Sequence, residues 1–137
     1  VWTTLDRAPL IGLECARFLC RYLRSITQEE RARVLAIGIV STHVHLLLAT
    51  HPSTNLPKLI QRLKGASARV ANKEGHVPLT KPLHWAEGYN IQTVSLSLLQ
   101  QTRAYVLDQH DHHPTEAIPG WEGDREMPEW RSAEDST

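Results

Sequence analysis

The chain has 137 residues, with 15 Lys plus Arg balancing 15 Asp plus Glu, and hydrophobic residues make up 41% of it. That length suits one domain with a core of its own, and the neutral balance excludes a polyanion-binding field spread over the whole surface, so any nucleic-acid footprint must be local. No apolar run approaches the ~20 residues of a membrane span. No basic start followed by an apolar stretch marks a signal peptide. Cys15 and Cys20 are spaced for neither a Cys-x-x-Cys site nor a disulfide scaffold, and a reduced, cytoplasmic protein is expected.

In chain order, Val1-Trp2-Thr3-Thr4 reads as the second half of a strand, and the absence of an initiating Met suggests a truncated N-terminus. After Pro9, Ile11, Cys15, Phe18, Leu19 and Tyr22 recur at helical spacing, giving an amphipathic helix to about Arg24. Val34 to Ile39 and His43 to Ala49 then read as two strands of a hairpin joined through Val40-Ser41-Thr42. Asn55 or Thr54 caps a second helix with Pro57 in its first turn; Leu56, Leu59, Ile60, Leu63, Ala66 and Val70 form its apolar face, and Gly75 ends it. On its other side Lys58, Arg62, Arg69 and Lys73 fall within about 60 degrees of one another at 100 degrees per residue. Such a stripe is commonly a solvated face, yet in a neutral protein it is the best local match to a phosphate backbone.

Leu83 to Ile91 reads as an aromatic-rich strand in which Gly88 permits a bulge or turn. From Ser95 the spacing is helical again: Leu98, Gln101 and Gln109 share a face with Tyr105, and Leu99 and Val106 form the neighbouring apolar edge. Past Pro114 the chain is rich in Pro, Gly, Glu and Asp, with Trp121 and Trp130 as anchors; residues 114 to 137 are set apart as a tail, either wrapped on the domain or disordered. Strand, helix, strand, strand, helix, strand, helix is the order of an α+β, ferredoxin-like βαββαβ antiparallel sheet with an extra C-terminal helix.

The chemistry gathers at two places. Strand side chains alternate faces, so His43 and His45 point the same way and can chelate one divalent ion, whereas Val44, Leu46 and Leu48 face a core. Far downstream stand Tyr105 and Gln109, one helical turn apart, followed by His112 and His113.

These motifs, from Val1-Trp2-Thr3-Thr4 through His43-Val44-His45-Leu46-Leu47-Leu48, Leu63-Lys64-Gly65 and Trp85-Ala86-Glu87-Gly88-Tyr89 to Tyr105-Val106-Leu107-Asp108-Gln109, resemble the single-tyrosine HUH transposases over residues 1 to 113. This family comprises the small IS200-like insertion-sequence transposases and relatives associated with repetitive extragenic palindromes. The family's usual Met-Pro-Asn before the histidines is Val40-Ser41-Thr42 here.

The resemblance implies that His43, His45 and Gln109 hold Mg2+ or Mn2+, which acts as a Lewis acid on the scissile phosphate of single-stranded DNA, and that Tyr105 is the nucleophile. It implies a 5′-phosphotyrosine intermediate that a 3′ hydroxyl can reverse, because a phenoxide leaves far more readily than an alkoxide. Hairpin-marked DNA and a second copy of the chain are the implied partners, in a homodimer where the histidines of one subunit meet the tyrosine of the other. His112 and His113 are read as helix C-terminal caps, or as groups contacting the metal's ligands or DNA. Two other readings stand beside the strand transferase: a domesticated hairpin-binding protein derived from one, and a histidine-triad nucleotide hydrolase, disfavoured because Leu47 occupies the third alternating position.

Overall fold

The computed structural model describes residues 1–123. Its sheet has three strands, β1 (Trp2–Thr3), β2 (Arg33–Val40) and β3 (His43–Ala49), in the antiparallel order β1-β3-β2. The histidine-bearing strand is therefore the middle one, with His43 paired to Thr3 on one side and to Val40 on the other.

Alternation along the strands splits the protein into two layers. Val34, Ile37, Ile39 and Val44 join the main core, against α1 (Leu13–Glu29) and α2 (Leu56–Lys73). Leu35, Ala36 and Leu47 face the other way and pack against Val106 of α3 (Leu99–Leu107). A register shift between Val34 and Ala36 allows adjacent Leu35 and Ala36 to share that second face. Helix α1 extends past Arg24 because Ile26 and Thr27 are buried too, and it stops where Arg31 takes a left-handed φ of 60°. Helix α2 is capped by Asn55, whose side chain accepts from the Lys58 backbone N–H at 3.1 Å, with Pro57 in the first turn.

The expected fourth strand takes its place at the β1 edge but forms no regular ladder. Leu5 N–H donates to the His84 carbonyl at 2.8 Å, Ala86 N–H to Thr3 at 2.9 Å and Asn90 N–H to Val1 at 2.9 Å, and Thr4–Trp85 is an isolated bridge. Register slips between Ala86 and Asn90, around Gly88 at φ +82°. Lys64 takes over there, its Nζ donating to the carbonyls of Ala86 at 2.8 Å and Gly88 at 2.7 Å. Trp85 anchors the segment inward, edge-on to Trp2 and donating from Nε1 to Ser67 Oγ at 3.1 Å.

The C-terminal helix is broken in two: α3 ends at Leu107, Asp108 breaks the helix, and α4 (Gln109–His112) follows. Residues 114 to 123 return to the body, with Ile118 in the main core and Trp121 packed against it; Trp130 lies outside the described residues. Cys15 is buried in α1, and burial, with Glu14 next to it, pushes its thiol up to about 12, where it is inert. Among the described residues no helix is long and apolar enough to cross a membrane.

Candidate active site

The sheet face opposite α1 and α2 carries His43 and His45, two residues apart on β3, with ring centroids 5.1 Å apart. Helix α3 lies across this face because of one glycine. Gly38 stands opposite His45 in the register, and a Cβ there would meet the Val106 carbonyl oxygen at 1.9 Å and Gln109 Cγ at 2.6 Å. Only a residue without a side chain lets the helix come this close. Arg103 helps hold it, its Nε donating to the Leu35 carbonyl at 3.3 Å.

That approach collects the remaining groups. The Tyr105 ring is 6.2 Å from that of His45 and 4.5 Å from that of His112, and His113 meets His43 edge-on at 4.9 Å. Tyr105 is 46% exposed, so its ring faces both the histidines and solvent. Gln109 is 1% exposed; its Nε2 donates to the Tyr105 carbonyl at 2.9 Å, while its buried Oε1 has no hydrogen-bond partner.

Electrostatics keep the histidines neutral. Burial, followed by the neighbouring His43, lowers His45 to about 3. Burial and then His113 lower His43 as well, with Gln109 and Glu116 acting in the opposite direction. Two neutral imidazoles and a buried amide oxygen without a partner are donors that a divalent ion can take, and binding one would relieve the cost of the unsatisfied carbonyl. His43, His45 and Gln109 thus fit such an ion. A second group that could hold one, His43, His113 and Glu116, has its candidate ligand atoms within 4.8 Å of one another.

The family description "Transposase IS200 like" matches residues 1–109. The chain belongs to this family. It is similar to the ISDra2 transposase TnpA of Deinococcus radiodurans, 33% identical over 114 residues, a match covering 81% of each chain. It also resembles a crystal structure assigned as a transposase from Deinococcus radiodurans, with 31% identity, a TM-score of 0.60, and 80% of this chain and 86% of that one covered.

For this IS200-like transposase, the residues singled out from sequence divide into two sets. His43, His45, Tyr105 and Gln109 come together within a single chain, and Tyr105 stands beside its own His45. The basic stripe lies on α2, in the layer across the sheet from the histidines. Within the stripe, Arg62 is held in ion pairs by Glu29 and Glu30 at the end of α1, and these carboxylates raise its already high pKa. Lys58, Arg69 and Lys73 have no acidic partner among the described residues.

Three residues near the site were not legible as such. Thr42 and Glu116 meet at His43, with Arg7 paired to Glu116, although Glu116 lies in the stretch that composition set apart as a tail. Burial works against charge on Glu116, but hydrogen bonds from Thr42 and Arg7 outweigh it and hold its carboxyl below the usual value. No spacing rule connects positions so distant in the chain.

Proposed function

We propose that this transposase is a metal-dependent strand transferase that cleaves and rejoins single-stranded DNA at hairpin-marked sites, with Tyr105 as nucleophile and His43, His45 and Gln109 as ligands for Mg2+ or Mn2+. The observation that carries the reading is the buried, unpartnered Gln109 Oε1 beside two neutral histidines, with Tyr105 four residues before it at the end of α3 and Gln109 at the start of α4. Family membership supports a DNA partner and an enzyme of transposition.

In the proposed reaction, the Tyr105 phenolic oxygen attacks the scissile phosphorus, a P–O bond to Tyr105 forms, and the P–O3′ bond breaks. Tyr105 gives up its phenol proton, the departing 3′ oxygen takes one up, and a 5′-phosphotyrosine is left with no net change in protons. Attack by another 3′ hydroxyl returns the phenol and joins the strands. A bound divalent ion would supply Lewis-acid stabilisation of the phosphoryl oxygens. The chain's own contribution is placement: Gly38 admits the helix, Gln109 ties its amide to the Tyr105 carbonyl, and burial keeps the imidazoles unprotonated.

The proposal extends to a homodimer. Leu96 is 90% exposed and Leu98 52%, and Ile91 and Tyr89 are exposed too, so the segment between the body and α3 presents apolar side chains that a second copy would cover. The same segment is long enough in sequence to let α3 change partners, giving sites either within one chain or shared between two. Lys58, Arg69 and Lys73 are proposed to contact DNA phosphates, with Arg62 the least available of the four.

The test is a covalent-adduct assay on single-stranded hairpin DNA with Mn2+ or Mg2+. An adduct is expected for the native chain and none for Tyr105→Phe, with equal folding by circular dichroism. Hairpin binding without any adduct, under either metal, would replace the reading with that of a domesticated binding protein.

A further inference from the structure

Thr42, Glu116 and Arg7 are used by none of the steps above, yet Thr42 and Glu116 both stand at Nδ1 of His43, with Arg7 paired to Glu116 behind them. Thr42 Oγ1 is 3.0 Å from His43 Nδ1, and Glu116 Oε2 is 3.7 Å from the same nitrogen. Arg7 Nη2 donates to Glu116 Oε1 at 3.3 Å. Each comes from a different turn: Arg7 from the 3-10 turn Leu5–Arg7, Thr42 from the β2–β3 connection, Glu116 from the 3-10 turn Pro114–Glu116. The backbone repeats the link, with Ser41 N–H donating to the Glu116 carbonyl at 2.8 Å.

Counting protons fixes the direction of this chain of contacts. The Glu116 carboxylate, paired with the Arg7 guanidinium, can only accept, and its negative charge 3.7 Å from Nδ1 favours a hydrogen on the ring nitrogen that faces it. What Thr42 then offers His43 is a lone pair. A neutral imidazole protonated at Nδ1 keeps its own lone pair on Nε2.

We propose that Arg7, Glu116 and Thr42 form a positioning relay that locks His43 as its Nδ1–H tautomer and so presents Nε2 to a divalent cation. The inference rests on the reading of His43 as a metal ligand, and it assigns a role to residues that the reading leaves idle. Groups placed behind metal-binding histidines act in this way generally, fixing both tautomer and ring orientation. The rival arrangement, a cation on His43, His113 and Glu116, would have to displace Arg7 from Glu116 and would compete for the Nδ1 side of His43 that Glu116 faces.

Long-range 1H–15N correlation spectra of the full chain report the tautomer of His43, and calorimetric titration with Mn2+ reports the site. Expected are an Nδ1–H signal for the native protein, a mixture of tautomers in Thr42→Val with Mn2+ affinity reduced about 10–100-fold, and recovery of both in Thr42→Ser. Glu116→Ala should follow Thr42→Val. An Nε2–H signal in the native protein, or a Thr42→Val variant with native tautomer and affinity, overturns the relay. So does a Mn2+ affinity that is lost in His113→Ala but kept in His45→Ala. An Nδ1–H signal with no Mn2+ broadening at His43 and His45 overturns instead the metal reading beneath it, and the two failures are told apart by the tautomer.

Discussion

Gly38 lies directly beneath Gln109: a Cβ on the former would come within 2.6 Å of Cγ of the latter. The pair connects the sheet to the tyrosine helix, and the geometry of the site depends on it.

Gly38→Ala should therefore lift α3 and α4 from the sheet. The nearer obstacle is the Val106 carbonyl, which is backbone and cannot swing aside like a side chain. A cost of about 1–3 kcal/mol is expected, typical of overpacking. Hydrogen exchange should accelerate across residues 99–112 while α1 and α2, on the other face, keep native protection. Unchanged exchange in 99–112 would show that the helix docks without needing Gly38.

Stability should fall with acid before carboxylates titrate. Unfolded histidines take protons near pH 6.5, whereas burial and then His43 hold folded His45 at about 3, and His43 is lowered as well. Between those values the unfolded chain binds more protons. Stability is complete above pH 6.5 and declines as pH falls, by at most ~1.4 kcal/mol per pH unit for each group. Urea denaturation at pH 7.5, 6 and 5 checks this, the higher part of that range being nearly free of carboxylate titration. His45→Gln should flatten the dependence; an identical slope in the variant would mean that His45 is not kept neutral by the fold.

Arg62 should be the weakest member of the basic stripe, because Glu29 and Glu30 already neutralise it. Arg69→Ala is expected to lower the salt slope of single-stranded DNA binding by about 0.7, one phosphate contact, and Arg62→Ala by clearly less. Glu29→Gln with Glu30→Gln should free Arg62 and steepen the slope. Equal slopes for both arginine variants would remove the distinction drawn from the ion pairs.

Complementation separates sites made within a chain from sites shared between chains. Subunits carrying His43→Ala and His45→Ala are mixed with Tyr105→Phe subunits and allowed to exchange. If α3 can reach the partner, one site in each heterodimer is whole, and nicking should recover to a measurable fraction of native activity. Verified heterodimers without activity would show that cutting uses the arrangement seen here, Tyr105 beside its own His45.

Much was legible from local rules. Alternation placed Val44 in the core and the two histidines on the opposite face, Asn55 and Pro57 announced the start of α2, and the spacing of Tyr105 and Gln109 put them one turn apart. Periodicity reports which side of an element is apolar, and here that was enough to fix the layers. It carries no information on contacts made by irregular backbone. Thus Leu83 to Ile91 looked like a strand, but with Gly88 at positive φ its pairing slips and Lys64 replaces the missing ladder partners.

What tertiary structure alone decided was distance between segments far apart in the chain. Gly38 reads as an ordinary glycine until Val106 and Gln109 are seen pressed against it, and Arg62 as a free cation until Glu29 and Glu30 fold beside it. Glu116 was set aside with the tail because its surroundings are polar and aperiodic. Folding returns it to the turn before His43, where one carboxylate meets a threonine, an arginine and two histidines. Such a meeting depends on three turns closing on one another, and no local pattern encodes it.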